Sequence, residues 1–207
     1  MAYIGRTPTG SILTGADIAD GSISTAKLAD TAVSTAKIAD DAVTVAKTSG
    51  VGITHASQWR MSSDLTGPVD PISANLEKVD TDGYASLGSD MTVSSGIWTF
   101  PTTGIWLIKG HGDLYYNGDS RHQHFAIHTT TDNSNYSLAS SGYSHIKQAE
   151  SNATQTHIDV DFLFDVTDTS LCKCKFAFEN VTNSSVVLAG GSSASYTWFT
   201  FTRLGDT

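Results

Sequence analysis

Between Asp17 and Lys47 the large apolar residues return every fifth position: Ile18, Ile23, Leu28, Val33, Ile38 and Val43. Around them recur Ala19/Ala29/Ala39, Asp20/Asp30/Asp40, Ala26/Ala36/Ala46 and Lys27/Lys37/Lys47, so the stretch is three successive ten-residue units. A spacing of five suits neither regular element. On an α-helix it advances about 140° past a full turn and scatters the apolar groups around the cylinder; on a strand it sends successive ones to opposite faces. The unit must therefore bend, and the pattern predicts a short helical turn over Ser-Thr-Ala-Lys-(Leu/Ile) followed by an extended Ala-Asp-x-(Ser/Ala)-(Ile/Val). Two modest apolar groups per unit cannot offset an ordering cost of about 1–2 kcal/mol per residue. The segment is expected to wind with copies of itself, with Ile18, Ile23, Leu28, Val33, Ile38 and Val43 forming the shared core. The alternative is a polar linker, which has no reason to keep a strict register.

After this stretch the period changes to two. Ile97 to Phe100 and Ile105 to Ile108 flank a Pro101–Gly104 turn; the second run is apolar throughout and is expected to be buried on both faces. Phe125 and Ile127 alternate with His122, His124 and His128. Ile158, Val160, Phe162, Phe164 and Val166 alternate with Asp159, Asp161 and Asp165, and Cys172, Cys174, Phe176 and Phe178 with Lys173 and Lys175. Shorter strands are expected near Gln58–Met61, Leu76–Val79 and Met91–Val93, and a last one over Tyr196–Thr202. Seven or eight strands with Gly/Ser/Asn turns predict an all-β sandwich of jelly-roll type.

Composition sharpens this division. Tyr3 is the only aromatic residue before position 50, whereas all four Trp and all eight Phe follow it, so the core belongs to the second part. A net charge of −9 gives nucleic-acid binding no electrostatic support. No run of about 18 apolar residues predicts membrane insertion. The opening lacks the basic and apolar regions of a signal peptide, which predicts synthesis in a cytoplasm. Two cysteines two residues apart on one strand face suit a reduced core position better than a bridge.

The candidate chemistry is modest. His122, His124 and His128 share a face of a regular strand and could ligate a transition metal or simply form a polar edge. The acidic positions alternating with a hydrophobic face read as solvated strand residues, and no catalytic motif is present, so no enzyme, catalytic residue or cofactor is expected. Tyr115, Tyr116 and Asn117, and Tyr143 with His145, fall in predicted turns. There their rings could stack on sugars, or plug the sandwich ends.

Two resemblances extend this reading. The opening Met1-Ala-Tyr-Ile-Gly5 with its Pro8-containing polar stretch resembles the start of virion fibre proteins of tailed phages of marine bacteria (cyanophage-like), and Ala19-Asp-Gly-Ser-Ile-Ser-Thr-Ala-Lys-Leu-Ala-Asp30 is similar to their stalk repeats. The likeness implies a trimeric stalk and an N-terminal tag, through Tyr3, Ile4, Arg6, Ile12 and Leu13, that docks on another virion protein. Trp98-Thr-Phe-Pro101-x-x-Gly104-Ile-Trp106, Asp165-Val-Thr-Asp168 and the closing Tyr196-to-Leu204 segment resemble the globular heads of complement and tumour-necrosis-factor-like proteins, which are jelly-roll trimers. The expectation is a homotrimeric phage fibre located on the virion. Its parts are a tag (1–16), a stalk (17–47), a junction (48–56) and a knob (57–207) expected to contact a host-surface glycan or receptor. The alternative is a head fibre, capsid decoration or tail-joint appendage that selects no receptor.

Overall fold

The computed structural model describes residues 19–24, 26, 28–29, 32–34, 38–39, 42–43, 52–179 and 181–207, and the chain divides into two compact units, Met1–Ser49 and Gly50–Thr207. Tyr3, Ile4, Arg6, Ile12, Leu13 and Ile18 lie outside the described residues.

In the first unit the ten-residue sequence repeat is echoed by a ten-residue hydrogen-bond repeat. The amides of Ser22, Ala32 and Ala42 donate to the carbonyls of Ala19, Ala29 and Ala39, each at 3.0 Å. This corrects the expected extended run, for the Ala-Asp-x-(Ser/Ala) segment is closed by an i to i+3 bond. In the first repeat Gly21 takes the left-handed conformation at φ 72°, and Asp-Gly is turn-forming chemistry. Ile23, Leu28, Val33, Ile38 and Val43 all remain exposed, from 42% for Ile38 to 56% for Val43.

The second unit is all-β among the described residues, a sandwich of two antiparallel sheets. One sheet has the order β2 (Leu65–Thr66), β11 (Val187–Leu188), β6 (Gly104–Tyr116), β12 (Trp198–Gly205), β1 (His55–Met61), β3 (Leu76–Lys78), with β9 (Thr154–Val166) on the other side of β6. The second has the order β4 (Thr92–Ser94), β5 (Ile97–Thr99), β10 (Lys173–Glu179), β7 (Ser120–Thr130), β8 (Ser137–Ile146). The Pro101–Gly104 turn thus carries the chain from one sheet to the other.

Period-2 alternation explains the core. Trp106, Ile108 and Leu114 of β6, Ile158, Val160, Phe164 and Val166 of β9, Phe125 and Ile127 of β7, and Phe199 and Phe201 of β12 all point inward. Trp98 sits among Trp59, Phe176, Phe199 and Phe201, with ring centroids 5.2, 6.3, 5.8 and 4.9 Å away. Gly110 is required here because a Cβ on it would lie 2.7 Å from the Phe176 ring and 3.0 Å from that of Phe125. Cys172 and Cys174 are free thiols fully buried in this core, and burial pushes the Cys174 thiol far above its usual range.

Two strand expectations change. Ile105 and Leu107 are only half-buried, because among the described residues of this unit no second layer covers the outward face of β6. β8 was not expected at all, and Tyr143 and His145 lie within it instead of in a turn. Its signal is faint because its inward positions include Gly142 and Ser144, which leave no hydrophobic alternation to read.

Candidate ligand-binding cleft

β7 and β8 build an open surface site that holds two of the sequence-predicted ligand contacts, Tyr143 and His145. Their pairing runs from Ser120 opposite Ile146 to Gln123 opposite Ser144, so both Arg121 and His122 stand opposite the single residue His145. This is a β-bulge, which locally breaks the alternation and re-aims side chains. Gln123 holds it from below: fully buried, its Nε2 donates to the Ser120 carbonyl at 3.0 Å and to Ser120 Oγ at 2.5 Å.

Above the bulge lies a cleft of about 490 Å³ lined by Arg121, His122, Tyr143, Ser144 and His145. A second depression of about 510 Å³, lined by Asp119, Arg121, His145, Ile146 and Lys147, shares two residues with it. Tyr143 is 61% exposed; its ring stacks on His124 at 4.4 Å and 11° and leans on His122 at 4.9 Å and 44°. Asp119 is ion-paired with Lys147 and accepts the Gln148 amide at 2.9 Å, and the lysine's hydrogen bond, with that amide, lowers its carboxyl pKa. The Arg121 side chain, by contrast, makes no hydrogen bond or ion pair with any described residue. Nε2 of His122, shielded from solvent, has no hydrogen-bond partner among the described residues.

The remaining predicted site residues scatter. His124 Nδ1 and His128 Nε2 both approach Oε1 of Glu179, at 3.4 and 3.3 Å, on either side of Ala126. Burial lowers the pKa of His124, opposed by the Glu179 charge. His122 leans on Tyr143 instead, and among the described residues no three His, Cys, Asp or Glu side chains are grouped to hold a metal ion. Tyr115 and Tyr116 end β6 instead of lying in a turn. Tyr115 donates to Asp64 Oδ2 at 2.5 Å, and Tyr116 accepts from Asn183 Nδ2 at 2.8 Å and packs against the core. Asn117 accepts from Gln148 Nε2 at 2.7 Å. None of the three lines the cleft. Sequence reasoning placed Asp119 beside the Tyr115–Asn117 turn but missed Arg121 and Lys147; the only available signal was the cationic residue directly after Gly118-Asp119-Ser120.

A second surface is the outward face of β12, β6 and β9. The Trp198 ring stacks on His111 at 5.4 Å and 6°, and His111 on His157 at 5.4 Å and 22°, with His111 Nδ1 2.7 Å from Asp159 Oδ1. Along the same face lie Ile105, Leu107, Leu204 and Leu163, the last 58% exposed. A third depression, of about 270 Å³ beside Arg60, offers no free cation. Arg60 is buried and engaged by Glu77, Asp80 and Thr81 at 2.7, 2.8 and 2.9 Å.

No protein-family model matches the chain, and no curated protein sequence matches it. Among solved structures, Eiger TNF from S. frugiperda is similar at 12% sequence identity and a TM-score of 0.53, over 75% of this chain and 95% of that one. The likeness is one of fold: the second unit is a jelly-roll sandwich of the tumour-necrosis-factor type.

Proposed function

We propose that the chain is a structural fibre of a phage virion that works by binding and not by catalysis. In this reading it is a homotrimer fixed to the particle by its N-terminal segment, with the jelly-roll head turned to the host cell. The observation that carries it is the row of exposed Ile23, Leu28, Val33, Ile38 and Val43, which fall at two fixed places in the ten-residue repeat. Burying such a side chain stabilises by roughly 1.5–3 kcal/mol, which a single thread forgoes and a bundle of copies recovers. On the outward face of β12, β6 and β9, exposed Leu163 and Leu204, with half-buried Leu107 beside charged Lys109 and Asp161 and the stacked Trp198–His111 pair, support a second self-contact, between heads. Three copies follow from the resemblance of the repeats to phage stalks and of the head to trimeric jelly rolls. The β7–β8 cleft then occurs three times on one particle appendage, so that weak sites for a cell-surface glycan gain from multivalency.

Two measurements test this. Sedimentation of the purified full chain is expected to give the mass of three copies; a single copy at micromolar concentration overturns the assembly. Particles lacking residues 57–207 of this protein are expected to lose adsorption to host cells; unchanged adsorption overturns the receptor role and leaves a capsid or tail-joint appendage.

A further inference from the structure

Resting on the reading of the head as a glycan-binding knob, we infer that the β7–β8 cleft selects acidic saccharides, with Arg121 taking the carboxylate and Tyr143 the sugar face.

Charge at the cleft argues for an anion. Its one carboxylate, Asp119, is already neutralised by Lys147 and held by the Gln148 amide. Its guanidinium has no partner among the described residues, and it belongs to both halves of the cleft. A planar fork of N–H donors fits a carboxylate by two parallel bonds. The chain as a whole carries −9 and repels anions at long range, so any preference for an acid must arise from a local group of this kind.

The apolar half of the site is an aromatic platform. Tyr143 presents an exposed ring held flat by the buried His124 beneath it, a rigid surface for the C–H face of a pyranose. Beside it the shielded Nε2 of His122 is an unsatisfied polar atom of the sort that a ligand hydroxyl relieves. His145 adds a hydroxyl-binding group on the same wall. The bulge is what makes the site. In a regular strand Arg121 and His122 would point to opposite faces, whereas here both stand against His145, and buried Gln123 fixes the distortion.

The test is calorimetric titration of the full-length protein with oligosaccharides containing hexuronate or nonulosonate residues, each paired with its carboxyl-reduced counterpart. At least one acid is expected to bind ten-fold or more tightly than its reduced partner. Arg121→Ala is expected to abolish that preference with an unchanged melting curve, since the Arg121 side chain is exposed and engages no described residue. Tyr143→Ala should weaken acid and reduced forms alike. Equal binding within every pair, or a preference that survives Arg121→Ala, overturns the acidic selectivity while leaving a neutral-glycan head standing. If no saccharide binds and the free protein does not compete with particles for cells, the glycan-binding head fails as well.

Discussion

The two units of this chain treat hydrophobic residues in opposite ways. In the head Trp98, Phe176, Phe199 and Phe201 are at most 1% exposed, whereas in the repeat five aliphatic side chains are 42–56% exposed. The cause is in the spacing. A period of two over strands of seven to thirteen residues puts a continuous apolar face on β6, β7, β9, β10 and β12, and two sheets can close on each other. A period of five interrupted by an i to i+3 turn builds no face wide enough for any element of the same thread to cover. The head completes its core within one copy, whereas the repeat leaves its described aliphatic residues exposed, as the proposed bundle of copies would require.

The largest expected effect breaks the self-sufficient half. Trp98→Ala removes the ring at the centre of the aromatic cluster and should cost about 3–5 kcal/mol, a large part of the stability of a domain of this size. Thermal or urea unfolding of a chain comprising residues 52–207 should show either a collapse of the melting temperature or no cooperative transition; a loss below about 1 kcal/mol would mean that the cluster is not the core.

The next breaks the dependent half. Replacing Ile23, Leu28, Val33, Ile38 and Val43 with Ser should abolish association through the N-terminal unit and shift the full chain toward lower mass in sedimentation, while the melting of the head keeps its temperature. A variant that sediments like the parent would show that the repeat is a tether and not a bundle. Leu163→Glu sharpens the contrast from the other side, since its side chain is already 58% exposed. It should leave the unfolding of an isolated head within about 0.5 kcal/mol of the parent, yet weaken head–head association at least ten-fold by placing a charge in an apolar contact.

How much was legible in the sequence follows the same division. β9 and β10 were readable because bulky inward residues alternate with Asp or Lys, and the five-residue period agrees with the exposure of Ile23, Leu28, Val33, Ile38 and Val43. β8 was not readable, because Gly142 and Ser144 occupy inward positions, and an edge strand of Ser, Gly and Tyr looks like a loop. The cleft was half legible. Tyr143 and His145 stood out as aromatic and polar groups, but the bulge that brings Arg121 to them is a register shift between two strands and leaves no mark in either alone. Glu179 joins His124 and His128 only because β10 pairs with β7 across 51 residues, a distance over which periodicity carries no information.

The smallest effect concerns pH and again separates the two units. His124 and His55 both have pKa values lowered from 6.5, each mainly by burial; neighbouring His122 and His128 lower His124 further against the opposing Glu179, and Arg203 lowers His55. The native head therefore holds these imidazoles neutral, and as pH falls below about 6.5 the unfolded chain takes up protons first, so stability must fall. The depressed carboxylates do not contribute in this window. Asp132, with hydrogen bonds from Thr130, Ser134 and Asn135, and Asp168, bonded by Ser170, release their contribution only below about pH 4. The melting temperature of the head should drop by a few degrees from pH 7.5 to 5.5, and His124→Gln should flatten that slope. The described repeat residues include no histidine, so association measured on residues 1–51 alone should not change over the same range. A head whose melting is flat across pH 6.5 would mean that the His124 imidazole accepts its second proton in the native state, with the Glu179 carboxylate prevailing over burial.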